Sequence, residues 1–199
     1  QSITWAPTTA VTTTQSPLTF AAATISPGGG AITYAVTSAG ATNCVTASPA
    51  IPTVTFNTAG SCQITATAAA NATYASATSA VTFVVGLTPQ ALSWAPTQTL
   101  TVAQSNLALA AATGMGTGAV TYAVTGEGAG CAISSGNRLT FTGAGSCTVT
   151  AAIAADAIYA GTANSKVFTI SVTSQSITWA PTTAVTTTQS PLTFAAATI

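Results

Sequence analysis

Residues 1–25, QSITWAPTTAVTTTQSPLTFAAATI, recur without a change as residues 175–199. A diverged copy of the same opening, QALSWAPTQTLTVAQSNLALAAAT, starts at Gln90. Self-similarity at a fixed period marks an array of units, and it constrains the fold before any single segment does. The sequence therefore divides into a first repeat over residues 1–89, a second over 90–174, and the first two strands of a third over 175–199. The unchanged match reads as a two-repeat block of 174 residues followed by the start of the next block. On that reading the chain is expected to continue past Ile199.

Within a repeat the apolar residues alternate with period two, the pattern of half-buried strands. Ile3 and Trp5 share a face, as do Leu18 and Phe20; Ile32, Tyr34 and Val36; Val54 and Phe56; Cys62, Ile64 and Ala66; and Val81, Phe83 and Val85. The second repeat offers Leu92 and Trp94; Leu107 and Leu109; Val120, Tyr122 and Val124; Leu139 and Phe141; Cys147 and Val149; and Phe168, Ile170 and Val172. SPGGG, TSAGATN, SPAIP and NTAGS lie between the runs of the first repeat and carry turn chemistry. Thr is abundant and favours strands over helices. The Ala-rich stretches AAATI and TATAAANATYASATSA therefore read as strand and loop. About seven short strands per repeat predict an all-β chain of tandem Ig-like antiparallel β-sandwiches. The boundaries at Thr88-Pro89-Gln90 and Thr173-Ser174-Gln175 leave almost no linker, so an end-to-end arrangement is expected.

Each repeat carries two cysteines, Cys44 and Cys62, then Cys131 and Cys147. Four cysteines allow three pairings, and the repeat symmetry favours Cys44 with Cys62 and Cys131 with Cys147. Disulfides imply an oxidising compartment, the periplasm, the cell surface or outside the cell, and the chain is expected to be extracellular or at a cell surface. A zinc site needs two further ligands per repeat, and the chain has no His. No Cys-x-x-Cys redox motif is present.

Charge is nearly absent. Glu127, Arg138, Asp156 and Lys166 are the only charged side chains, 2% of the chain against about 25% in an ordinary domain. All four fall in the second repeat. Two basic residues cannot supply the phosphate contacts of a nucleic-acid binder. No apolar run is long enough for a membrane-spanning helix. A 48% hydrophobic chain of zero formal net charge is prone to associate, because nothing repels its copies. Much of its surface is therefore expected to face neighbouring protein. A surface sugar coat, or a Thr-rich exterior that is simply well hydrated, is the alternative.

Four features resemble bacterial Ig-like repeat domains of large extracellular and surface proteins. One is the Gln-x-Ile-x-aromatic opening at Gln1, Ile3 and Trp5, at Gln90, Leu92 and Trp94, and at Gln175, Ile177 and Trp179. The others are the steps at Cys44-Val45-Thr46 and Cys131-Ala132-Ile133, the Ala-Gly-Ser-Cys-x-Ile/Val-Thr-Ala run (59–66 and 144–151), and the Tyr-Ala pairs at Tyr74 and Tyr159. The resemblance implies spacers, stalks and building blocks. Related repeats carry more charge, and this chain departs from them there.

The residues offer little for catalysis. Without His, Ser-His-Asp chemistry is absent. Glu127 and Asp156 could form a glycosidase pair, but two solvated loop acids is the favoured reading. They are too few to hold calcium. Lys166 with Asn164 or Glu127 invites an isopeptide link, which the first repeat lacks the lysine to repeat. The glycine-rich Ser26–Gly30 and Gly114–Gly118 lack the Lys of a phosphate loop and read as turns. Asn71-Ala72-Thr73 matches the N-glycosylation acceptor pattern. Thr8–Thr14 could carry O-linked sugar, form a flat hydroxyl array for ice or carbohydrate, or be an ordinary edge strand.

The sequence thus predicts a non-enzymatic section of an extracellular fibre, sheath or stalk that associates with copies of itself and needs no cofactor. An adhesin stalk, or a glycan- or ice-binding surface module, is the second reading.

Overall fold

The computed structural model describes residues 1–179, Pro191 and Ala196. The strands expected in the third repeat fall outside the described residues beyond Trp179. The chain groups into two compact units. The first takes Gln1–Ala95, Ala110–Tyr122 and Thr150–Ser165; the second takes Pro96–Leu109, Ala123–Val149 and Lys166–Ile199. The first repeat lies wholly in the first unit, and segments of the second repeat fall in both.

The first repeat runs β1 (Ser2–Thr4), β2 (Ala10–Thr12), β3 (Leu18–Thr19), β4 (Thr24–Ser26), β5 (Ile32–Ser38), β6 (Val45–Ser48), β7 (Ile51–Thr55), β8 (Gly60–Ala68) and β9 (Ala77–Gly86). Strands β2-β9-β8-β5 form one sheet, β3-β7-β6 a second, and β1 pairs with β4. The longest ladder joins β8 to β9 from Gly60↔Val85 to Ala68↔Ala77. Its alternation decides the inside: Cys62, Ile64, Ala66 and Ala68 are buried, and Gln63, Thr65 and Thr67 point the other way. Trp5, Phe20, Tyr34, Val54, Phe56, Ile64, Phe83 and Val85 fill the core. Phe83 is central, with ring centroids 5.2 Å from Phe20 and 6.2 Å from Phe56. Burial of such a side chain contributes roughly 1.5–3 kcal/mol.

The second repeat runs β10 (Thr99–Thr101), β11 (Leu107–Ala108), β12 (Val120–Gly126), β13 (Ala132–Ser134), β14 (Arg138–Thr140), β15 (Gly145–Ile153) and β16 (Thr162–Ser171). The sheet orders β10-β16-β15-β12 and β11-β14-β13 reproduce those of the first repeat. In the first unit, Trp94 packs on Tyr122 at 5.6 Å, as Trp5 packs on Tyr34 at 5.5 Å, both at 57°. In the second unit, Leu100 pairs with Ile170 and Leu107 with Leu139, and all but Leu107 are fully buried. The architecture is all-β, and the helical segments among the described residues are single 3-10 turns.

Several details differ from the sequence reading: Val172, grouped with Phe168 and Ile170, lies beyond β16 and is 70% exposed. The sandwiches are not purely antiparallel: β2 runs parallel to β9 (Val11↔Val85) and β10 parallel to β16. In the first repeat the opening strand splits at Pro7, which cannot donate to a ladder, so β1 pairs with β4 and β2 becomes an edge of the other sheet. Of the readings offered for Thr8–Thr14, the edge strand fits β2, which lies at the edge of its sheet, and the flat hydroxyl array does not. Only Ala10–Thr12 is extended, and Thr13–Gln15 forms a 3-10 turn. Gln15 Oε1 accepts the Thr12 N–H at 2.6 Å, and Thr13 is buried.

Candidate association surfaces and the Thr88 junction

Cys44 is bonded to Cys62, and Cys131 to Cys147, each with Cα atoms 6.3 Å apart. Cys44, Cys62 and Cys147 are buried. Closing loops of this length stabilises a domain by about 3 kcal/mol in the chain-entropy account. These sulfurs are structural staples.

The outward face of β5, β8 and β9 has an unusual composition. Register places Thr33 beside Thr67 and Thr67 beside Thr78, then Ala35, Thr65 and Ala80, then Gln63 with Thr82, then Ser61 with Val84. Thr37 Oγ1 lies 3.0 Å from both Thr65 Oγ1 and Gln63 Oε1, and Gln63 Nε2 donates to Thr82 Oγ1 at 3.3 Å. Val84 is 58% exposed among them. No residue of this face ionises. The corresponding sheet of the second repeat alternates the same way, leaving Thr148 and Thr150 on β15, and Ser165, Val167 and Thr169 on β16, away from the buried positions. Thr150 Oγ1 meets Ser165 Oγ at 2.7 Å.

Lys166 lies within β16 at a half-buried position that alternates with the outward Ser165 and Val167, and the other charged residues sit outside the four-stranded sheets. Glu127 follows β12 and lines an open depression of about 600 Å³ with Gly128, Gly130 and Cys131. Arg138 donates through Nε to Asn106 Oδ1 at 2.8 Å. Asn164 Nδ2 donates to Leu92 O at 3.1 Å, which engages the amide that an isopeptide link to Lys166 would consume. Asp156 lies in the loop after β15. Its Oδ1 accepts the Tyr159 N–H at 2.7 Å and the Ile158 N–H at 2.8 Å, and its Oδ2 accepts the Thr117 N–H at 2.6 Å. These backbone donors, Tyr159 foremost, lower its pKa to about 2. A general acid needs the opposite shift, and the oxygens of Asp156 are engaged in holding its loop.

Asn71 takes the same position in the first repeat. Its Oδ1 accepts the N–H groups of Thr73 and Tyr74, both at 2.8 Å, and Asn71, Ala72 and Thr73 are exposed. The glycine-rich turns serve close approach. A Cβ on Gly30 would stand 2.5 Å from Ala69 O, and one on Gly118 would overlap Ala154 O. Among the described residues, no three His, Cys, Asp or Glu side chains gather as metal ligands, and no helix is long and apolar enough to cross a membrane.

One site escaped the sequence reading. Within the first unit, Thr88 is the hub of a hydrogen-bonded junction. Its Oγ1 lies 3.1 Å from Thr13 Oγ1 and 3.0 Å from Thr14 Oγ1, and accepts the Thr14 N–H at 3.3 Å. Its N–H donates to Ile158 O at 2.8 Å, and its carbonyl accepts the Ala160 N–H at 2.9 Å. Thr13 Oγ1 donates to the same Ile158 O at 2.5 Å. Gln90 extends the clamp: Nε2 donates to Ala160 O at 2.8 Å, and Oε1 accepts the N–H groups of Met115 and Gly116, each at 3.0 Å. Pairings across 145 residues leave no local signal. Only the short Thr-Pro-Gln boundary hinted at it.

No family model matches the sequence, and no curated protein matches it. Among solved structures, the chain is similar to the crystal structure of Drosophila N-cadherin EC1-3 at 9% identity and a TM-score of 0.32, covering 87% of this chain and 63% of that one. Mouse protocadherin-24 EC1-3 gives 14% identity and a TM-score of 0.33, over 72% and 59% of the two chains. Human protocadherin-24 EC1-2 gives 12% and 0.32, over 83% and 94%. Likenesses this distant assign neither a family nor an activity.

Proposed function

We propose that the chain is a structural section of an extracellular or cell-surface fibre, sheath or stalk. Its domains span 1–89 and 90–174, with a third begun at 175–199, and it associates laterally with copies of itself. The outward faces of the four-stranded sheets carry this reading, because they hold hydroxyl, methyl and amide groups and no ion. A hydroxyl both donates and accepts, so identical faces can pair. No charge has to be stripped of water, a step that costs several kcal/mol per ion. The disulfides favour an oxidising compartment. Electron microscopy and light scattering of the purified chain over a range of concentrations test the proposal: concentration-dependent filaments or lateral assemblies support it.

The row formed by Thr37, Thr65, Gln63 and Thr82 also favours a second reading, an adhesin stalk or a glycan- or ice-binding face. A monomer that binds glycan or arrests ice growth, and loses this on Thr65→Lys, would select it.

A further inference from the structure

We infer that the two kinds of junction in the 174-residue block are chemically different, so that hydroxyl-clamped joints alternate with joints lacking the clamp. The inference rests on the proposed domain reading, in which a repeat like the first comes after residue 174. At the first junction, Thr13 and Thr14 supply the hydroxyls that meet Thr88. Aligning the repeat openings puts Val102 and Ala103 in their places, and Thr173 in the place of Thr88.

The scaffold around these positions is retained. Val102–Gln104 forms the same 3-10 turn as Thr13–Gln15, and Gln104 Oε1 accepts the Thr101 N–H at 2.8 Å as Gln15 Oε1 accepts that of Thr12. Only the hydroxyls are gone. A Thr173 side chain set against that turn meets a methyl and an isopropyl group, neither able to donate or accept.

The receiving side differs as well. The loop that presents Ile158 O to Thr88 is held by Asp156, which has an oxygen left for the Thr117 N–H after bonding Ile158 and Tyr159. The corresponding loop of a first-type repeat is held by Asn71. Its Oδ1 serves Thr73 and Tyr74, and its other terminal atom is an amide nitrogen that cannot accept. The second joint thus lacks the clamp's hydroxyls, and its receiving loop lacks the internal bond that Asp156 makes to Thr117. The end of a first repeat brings the hydroxyl clamp to its joint, and the end of a second repeat does not. Bending would concentrate at every other joint.

Amide hydrogen exchange tests this on the full chain and on the full chain completed by a copy of residues 26–89 appended after Ile199. The Thr88 and Ala160 amides should exchange about tenfold or more slowly than their counterparts at the second joint, Thr173 and the Ala75 copy. Thr13→Val with Thr14→Ala should remove about tenfold of the Thr88 protection and leave the β8–β9 ladder unchanged. Equal protection at the two joints, or no response to the double substitution, overturns the inference. The appended copy makes the result independent of the native sequence beyond residue 199. The intact mass of the native polypeptide tests continuation separately: a mass near 19.3 kDa refutes it and leaves the junction chemistry standing.

Discussion

Asn71 and Asp156 hold the same turn in successive repeats, each taking the backbone N–H groups of the residues two and three further on. The turn needs an oxygen at that position, which both side chains provide. Asp156 adds a charge and a second acceptor, so its loop alone is sensitive to acid.

Asp156 has a folded pKa of about 2 against an ordinary 3.8. A carboxylate with a depressed pKa stabilises the fold above its unfolded value, and that contribution is lost as pH falls from about 4 towards 2. Since Glu127 is the only other acidic side chain, urea melts should show little pH dependence from neutral down to about 4.5 and a decline below it. Asp156→Asn should flatten that decline. An unchanged acid limb in the variant would show that the loop does not depend on the carboxylate.

Trp5 Nε1 donates to Ala21 O at 2.9 Å, and Trp94 Nε1 to Ala110 O at 3.0 Å. Trp5→Phe and Trp94→Phe keep an aromatic ring and leave those carbonyls without the indole donor. Each should cost about 1–3 kcal/mol in chemical denaturation. A loss confined to one of the two would mean that the repeats do not use the tryptophan in the same way.

Replacing both Cys44 and Cys62 with Ala removes a staple that closes a loop of moderate length. A loss of about 3 kcal/mol is expected. Cys131→Ala with Cys147→Ala should cost about the same. Reducing agent should lower the wild-type melting temperature and leave a variant lacking all four sulfurs unaffected.

Gly30 and Gly29 are neighbours with opposite tolerance. A Cβ at Gly30 meets Ala69 O, whereas one at Gly29 meets nothing within 4 Å. Gly30→Ala should destabilise by about 1–3 kcal/mol, and Gly29→Ala should stay within about 0.5 kcal/mol. Thermal melts of the two variants side by side would check the turn geometry.

Much of the fold was legible because β-structure writes itself in period two. The alternation around Ile64 and Phe83 places the core, and the repeat reduces two domains to one problem. The parallel edges were not legible. Whether Val11 joins the sheet of β4 or of β9 depends on where the opening strand breaks, and the apolar pattern is the same in both cases. The 3-10 turn at Thr13 was not legible for a related reason. A threonine run has the composition of an extended edge, yet Gln15 caps the chain into a 3-10 turn and buries Thr13. The Thr88 junction joins residues far apart in sequence, partly through backbone carbonyls, which carry no residue-type signature, and partly through threonine hydroxyls in a chain rich in threonine.

The central claim is that uncharged sheet faces bring copies of this chain together. Sedimentation velocity of the 199-residue chain, alone and with Thr65→Lys and Thr150→Lys, tests it most directly. The account predicts assemblies that grow with concentration in the parent chain, and a folded monomer at every concentration in the variant, because a buried ammonium without a partner opposes pairing. A parent chain that stays monomeric throughout, or a variant that assembles as well as its parent, would contradict it.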